Sequence, residues 1–133
     1  MKKKKEQDLD FQISFYEDII KFNPDYVDAL MALGEAYTKK GLYEKGLNID
    51  RRLVSLRPAN PIAHYNLACS LSLSGEITGA FSALKDAIGL GYDDFLFLNN
   101  DPDLISLRSD ERFAEFAKMI KTKKDSADAP STR

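Results

Sequence analysis

The sequence predicts an all-α fold, an α-solenoid of antiparallel helix pairs that is closed by a divergent C-terminal capping helix. Three observations support this fold class: apolar residues recur at helical spacing, the chain repeats with a 34-residue period, and glycine or proline follows the repeating segments. The 133 residues are 44% hydrophobic and 30% charged, which suits one globular domain.

The 34-residue period is clearest in the second helix of each pair. Shifting the sequence against itself by this length aligns four sets of three apolar residues. The sets are Leu9, Tyr43 and Ile77; Ile13, Leu47 and Phe81; Ile20, Val54 and Ile88; and Phe22, Leu56 and Leu90. Repeat proteins need such positions because each unit buries its apolar face only against its neighbours.

The first helix of the pair occurs twice at the same spacing. Small residues, Gly34 and Ala68, stand at the position where two helices of a unit approach each other closely. Gly41 and Gly75 follow the two helices and supply the positive φ that ends a helix. Each unit is therefore expected to be an antiparallel helix pair with a short turn.

The breaks in this pattern divide the chain. Asn23-Pro24 and Arg57-Pro58 end helical segments, because proline disfavours helix in the residue before it. After Asp94 the repeat register fails, and after residue 120 the composition becomes polar and is typical of disorder. The expected parts are a basic N-terminal tail at 1–5 and a helical domain at 6–120, made of a half-repeat at 6–26, repeats at 27–60 and 61–94 and a degenerate cap at 95–120, with a disordered tail at 121–133.

The first unit resembles the tetratricopeptide repeat (TPR) family in the combination of Leu33, Gly34, Tyr37, Gly46 and Pro58. The resemblance implies a right-handed stack whose concave face is lined mainly by the first helix of each unit and binds other proteins. Carried over position by position, it places the peptide-binding groove at Asp28, Met31, Glu35, Thr38, Ile62, Tyr65, Cys69 and Ser72.

This groove is half acidic and half apolar, so the expected ligand is a peptide or helix with apolar and basic residues. Some TPR proteins hold a free C-terminal carboxylate with lysine and asparagine side chains. Met31 and Glu35 stand where two of those side chains would be, and only Asn66 matches. A carboxylate-tail ligand is therefore disfavoured.

Enzymatic chemistry is not indicated. His64 and Cys69 are five residues apart, which separates their side chains by about 140° around a helix. The carboxylates at residues 93–111 lack calcium-loop spacing, and no phosphate-binding glycine loop occurs. We expect no catalytic residue, no cofactor and no metal.

Charge and composition limit the remaining classes. Residues 6–120 carry 11 basic and 19 acidic residues, a net charge of −8, which disfavours specific nucleic-acid binding. No apolar run is long enough for a membrane span. Acidic residues follow Lys2 to Lys5 where a signal peptide needs an apolar segment, and Cys69 is the single cysteine, so a cytoplasmic location is expected.

The function expected from these observations is a non-enzymatic adaptor or scaffold that binds a segment of a partner protein in the groove. The alternative is a self-associating structural protein. In that case the N-terminal helix, with Phe11 and Phe15, would stack on a second copy and give a homo-oligomer.

Overall fold

A computed structural model describes residues 2–128, and all of its regular structure is helical. The helices are α1 (Lys2–Phe22), α2 (Val27–Lys40), α3 (Tyr43–Leu56), α4 (Pro61–Leu73), α5 (Ile77–Gly89), α6 (Phe95–Asn100), α7 (Ile105–Arg108) and α8 (Phe113–Asp128), with a 3₁₀ turn at Pro102–Leu104 between α6 and α7. Within the described residues, no helix has the length and apolar composition needed to cross a membrane.

Local chemistry explains where these helices begin and end. Gly41 and Gly75 have φ angles of 85° and 81°, so they adopt the left-handed conformation that was expected after each first helix. At the start of α4, the side chain of Asn60 accepts a hydrogen bond from the backbone N–H of Ile62 at 2.9 Å. Pro61 occupies the first turn, where its missing N–H costs nothing.

Consecutive long helices pack side by side as antiparallel neighbours, α1 on α2, α2 on α3, α3 on α4 and α4 on α5. The pairs α2/α3 and α4/α5 fall within the residue ranges expected for the two repeats, 27–60 and 61–94. The stripe of Leu30, Leu33 and Tyr37 is buried, as its helical spacing predicts. The all-α solenoid fold predicted from the sequence is confirmed.

Residues after α5 form a cap, defined here as α6, the 3₁₀ turn and α7. Leu98, Leu104 and Leu107 of this cap are fully buried against the second unit. Phe116 and Ile120 of α8 join the same apolar cluster. A smaller cluster around Leu30, Leu53 and Ala63 holds the first unit to the second. Most of the core therefore lies at the C-terminal end of the stack.

Both expected tails are more helical than their composition predicts. α1 includes Lys2 to Lys5, and α8 continues to Asp128. The prediction of disorder is therefore wrong for residues 121–128, which are helical. Lysine and alanine are good helix formers, and adding a turn to a helix that is already packed costs little. Residues 1 and 129–133 lie outside the described residues.

Candidate functional site

A cavity of about 600 Å³ opens between α2, α4 and the cap. Five of the eight residues expected in the peptide-binding groove line it, namely Met31, Glu35, Thr38, Tyr65 and Cys69. Met31 and Glu35 are exposed, whereas Tyr65 and Cys69 are buried at its far side. The helical spacing therefore identifies one surface, and whether a partner occupies it stays a prediction.

The other three expected groove residues do not line the cavity. Asp28 and Ile62 are exposed near the starts of α2 and α4. Ser72 is only 2% exposed, so its assignment to an accessible groove is corrected. The reason is that α4 packs against α3, α5 and the cap, which leaves little of its surface open.

A buried hydrogen-bond network joins α4 to the cap at the far side of the cavity. The Tyr65 hydroxyl donates to Asp101 Oδ2 at 2.6 Å, and the Cys69 thiol donates to the same oxygen at 3.6 Å. Asp101 Oδ1 accepts from the backbone N–H of Asp103 at 3.0 Å. In the 34-residue register Asp101 is aligned with Leu33 and Leu67, so the charged residue that breaks the apolar repeat supplies the acceptor that fixes the cap.

Aromatic packing closes this side of the groove further. The rings of Tyr65 and Tyr92 stack with centroids 4.3 Å apart, and Phe97 lies 6.1 Å from Tyr65. Burial raises the pKa of Tyr92 to about 12. Because the chain's own cap covers the second unit, the accessible part of the groove is mainly the α2 wall and the rim formed by Phe97.

At the base of the cavity lies a buried carboxylate, Asp50 of α3, which is 6% exposed. Its Oδ2 accepts a short hydrogen bond from the Ser70 hydroxyl. Burial raises the pKa of Asp50 to about 6, against the opposing effect of this hydrogen bond. Sequence reasoning missed this residue, although the 34-residue register aligns it with Tyr16 and Leu84 and so marks a charge at an apolar position.

The cavity is negatively charged. Its lining includes four carboxylates, from Glu35, Asp50, Asp101 and Asp103, and one ammonium group, from Lys39. Lys39 is paired with Glu35 at 3.0 Å on the exposed surface of α2. Burial raises the pKa of Asp103, with a smaller contribution from the charge of Asp101. Such a surface favours cationic ligands.

The structure keeps Cys69 and His64 in separate environments. His64 Nε2 lies 2.7 Å from the backbone oxygen of Pro58, whereas Cys69 faces Asp101. Burial, together with the nearby carboxylates, raises the pKa of the Cys69 thiol, so it stays protonated and is a poor nucleophile at neutral pH. Ligand atoms of Cys69, Asp101 and Asp103 lie within 4.8 Å of one another, but both oxygens of Asp101 already accept hydrogen bonds.

A second surface lies at the N-terminal end of the stack. α1 is held to α2 by a 2.5 Å hydrogen bond from the Tyr37 hydroxyl to Glu17 and a 2.5 Å ion pair between Lys40 and Asp10. Its other face is apolar and open, with Phe11, Phe15 and Phe22 exposed by 71%, 50% and 84%. Within residues 2–128 these side chains form an exposed apolar patch of the kind at which proteins associate.

Comparison with known proteins identifies relatives of part of the chain. No protein-family model matches it. The chain is 33% identical over 90 residues to a chloroplastic protein of Arabidopsis thaliana, an alignment that covers 65% of this chain and 27% of the plant protein. The chain therefore spans about a quarter of that relative's length.

Solved structures of MamA share the fold. A crystal structure of MamA matches with a TM-score of 0.61 and 30% identity, covering 68% of this chain and 53% of that chain. MamA 41-end from Desulfovibrio magneticus RS-1 matches with a TM-score of 0.66 and 18% identity over 92% of this chain and 70% of that one. The MamA RS-1 ArsTM double mutant matches with a TM-score of 0.67 and 17% identity over 93% and 70%. At such identities the last two matches establish the fold alone.

Proposed function

We propose that the chain, which has a MamA-like helical-repeat fold, is a tetratricopeptide repeat protein that acts as a non-enzymatic adaptor or scaffold. In this proposal a peptide or helix of a partner protein binds in the groove between α2 and the cap. The observation that carries it is the open, acidic cavity of about 600 Å³ lined by residues of α2, α4 and the cap.

The chemistry of the groove defines the partner segment. Met31 on α2 and Phe97 on α6 are 37% and 53% exposed, so they offer apolar surface at two sides of the cavity. The carboxylates between them favour basic side chains. A segment that alternates apolar and basic residues at helical spacing would match both features.

A peptide-display selection tests this proposal. Random peptides of about twelve residues are selected on the immobilised protein, since a groove of this kind takes short segments. Enriched peptides are expected to carry apolar and basic residues, and they should bind the Met31→Asp, Glu35→Arg double variant at least about tenfold more weakly. Asp86→Arg is the matched control, because Asp86 is exposed on α5 away from the cavity.

Two outcomes would count against the groove. Equal binding by the folded double variant would move the site to another surface. Loss of binding in the Asp86→Arg control would mean that net charge alone, rather than the cavity, determines capture.

Self-association is the second candidate, and it is supported by the exposed apolar face of α1. Phe11 and Phe15 stack on this face with ring centroids 6.3 Å apart. A second copy that covered these rings would remove a large apolar area from water. In this proposal the chain forms dimers or longer assemblies through α1.

Sedimentation velocity over a range of protein concentrations tests self-association. The Phe11→Ser, Phe15→Ser variant should remain monomeric where the unaltered chain associates. Leu96→Ser is the control, because Leu96 is 78% exposed on a different helix. A single monomeric species for the unaltered chain at every concentration would exclude assembly through this face.

A cytoplasmic location also stays a proposal. It rests on the single buried cysteine and on the acidic residues after the N-terminal lysines. The plant relative, by contrast, is named as a chloroplastic protein. Fractionation of the source cells, followed by immunoblotting, would decide between the compartments.

A further inference from the structure

Asp50 breaks the repeat at a position where the neighbouring unit is fully apolar. The 34-residue shift aligns it with Leu84, whose side chain is completely buried. An ionised carboxylate at such a position is unfavourable unless a cation or several hydrogen-bond donors compensate it. The structure supplies one donor, the hydroxyl of Ser70.

Within residues 2–128, the second oxygen of this carboxylate has no hydrogen-bond donor. Among the residues that the structure describes, no side chain or backbone N–H donates to Asp50 Oδ1, and no cationic side chain forms an ion pair with Asp50. A side chain at position 34 would approach this oxygen, because a Cβ built on Gly34 lies 3.3 Å from it. Glycine keeps the space beside the carboxylate open.

The charged groups around the cavity do not neutralise Asp50. The carboxylates of Glu35, Asp101 and Asp103 add negative charge, and Lys39 is already paired with Glu35. The remaining titratable groups of the lining, the Tyr65 hydroxyl and the Cys69 thiol, are neutral hydrogen-bond donors to Asp101. The unmet requirement of the cavity is therefore a single positive charge.

We infer that Asp50 anchors one lysine side chain of the partner segment, with the lysine ammonium bound to Asp50 Oδ1 at the base of the cavity. This inference rests on the proposed function of the groove. It adds the residue of this chain that makes the contact, Asp50, and the kind of partner side chain that binds it.

Lysine fits this anchor better than arginine does. A guanidinium group binds a carboxylate most strongly through two parallel hydrogen bonds, which need both oxygens. Ser70 occupies Oδ2, so only one oxygen is available. A compact ammonium on a slim apolar stem needs one carboxylate oxygen and can use Asn66, which lines the same cavity, as a second acceptor.

Two synthetic peptides test the anchor, acetyl-Ala-Leu-Lys-Leu-Ala-amide and the same peptide with norleucine in place of lysine. Binding to the full chain is followed by NMR, through the carboxyl ¹³C signal of Asp50 and the amide signals of Gly34 and Ser70. The lysine peptide should bind about tenfold more tightly than the norleucine peptide, as expected for a hydrogen bond to a charged group. It should also shift all three signals.

The Asp50→Asn variant should lose this tenfold preference while keeping the hydrogen bond to Ser70. Asp103→Asn is the matched control, because it removes one charge from the same cavity at a half-buried position. Its effect should stay below about threefold. Equal losses in the two variants would mean that the cavity attracts cations generally, and this would overturn the anchor.

Other outcomes separate the anchor from the groove. Equal binding of the lysine and norleucine peptides would overturn the anchor and leave the groove proposal intact. No binding of either peptide at millimolar concentration would overturn both the anchor and the expected preference for basic segments. An arginine peptide that gains affinity in the Ser70→Ala variant would support the single-oxygen geometry, and an arginine peptide that outcompetes lysine on the unaltered chain would contradict it.

Discussion

At the scale of single residues, Asp50 should make the stability of the fold depend on pH. Burial raises the pKa of Asp50 from its ordinary 3.8 to about 6, so the folded state holds this proton more tightly than the unfolded state. The stabilising contribution of the protonated form is fully present only below the ordinary pKa of 3.8 and is lost as the pH rises through about 6. The predicted loss between pH 4 and pH 7.5 is about 2 kcal/mol.

Urea denaturation of the unaltered chain and of Asp50→Asn at both pH values measures this effect. The variant should be more stable than the unaltered chain at pH 7.5, and the difference should shrink near pH 4. Asp86→Asn serves as the control, since Asp86 is exposed. The prediction would be contradicted if Asp50→Asn changed the free energy of unfolding by the same amount at pH 4 and at pH 7.5.

The hydroxyl of Tyr65 is a second residue-scale feature whose removal has a specific consequence. Tyr65→Phe deletes the 2.6 Å hydrogen bond to Asp101 but keeps the stacking on Tyr92. Because the buried carboxylate of Asp101 then lacks this donor, we expect Tyr65→Phe to lower the free energy of unfolding by about 2 kcal/mol. Thermal denaturation measures it, with Tyr26→Phe as the control because Tyr26 is 49% exposed. Equal stability of both variants would show that the bond contributes nothing net.

At the scale of elements, the cap should act as part of the core rather than as a loose cover. Leu104 is fully buried and the adjacent Ile105 is 55% exposed, so the two neighbours provide a matched pair. Leu104→Ala should lower the free energy of unfolding by about 3 kcal/mol, whereas Ile105→Ala should change it by less than about 0.5 kcal/mol. Chemical denaturation measures both, and similar small effects would mean that the cap is dispensable.

The helices could be predicted from the sequence because their signals are local. Leu30, Leu33 and Tyr37 show their common face through spacing alone, and Gly41 marks a helix end by its own backbone preference. The cap contacts could not be predicted in this way. Tyr65 and Asp101 are 36 residues apart and meet only after the register has broken.

The candidate site was predictable only in part, for a similar reason. Helical spacing placed Met31, Glu35 and Thr38 on one face, and the structure puts them along the cavity. It could not show that the 3₁₀ turn and α7 pack on α4. The 34-residue register aligns Asp50 with Tyr16 and Leu84. A comparison that looks for apolar residues matching one another does not identify such a charged exception.

At the scale of the whole molecule, stability should increase from the N-terminal to the C-terminal end. α1 packs mainly on α2 and has no buried side chain among those described, while α4, α5 and the cap share the larger core. Amide hydrogen exchange should therefore be faster in α1 than in α4 and α5 at low protein concentration. Mass spectrometry of the exchanged chain measures this gradient. Equal protection of α1 and α4 in a monomeric sample would contradict it.

The two ends of the stack differ in a way that matters for protein engineering, because the cap covers the second unit whereas one face of α1 is exposed. Tyr65 and Cys69 are already committed to Asp101, so another repeat grafted after α5 would have to displace the cap and replace these contacts. A repeat fused ahead of α1 would instead meet the free rings of Phe11 and Phe15. Designed arrays based on this chain should therefore be lengthened from the α1 end.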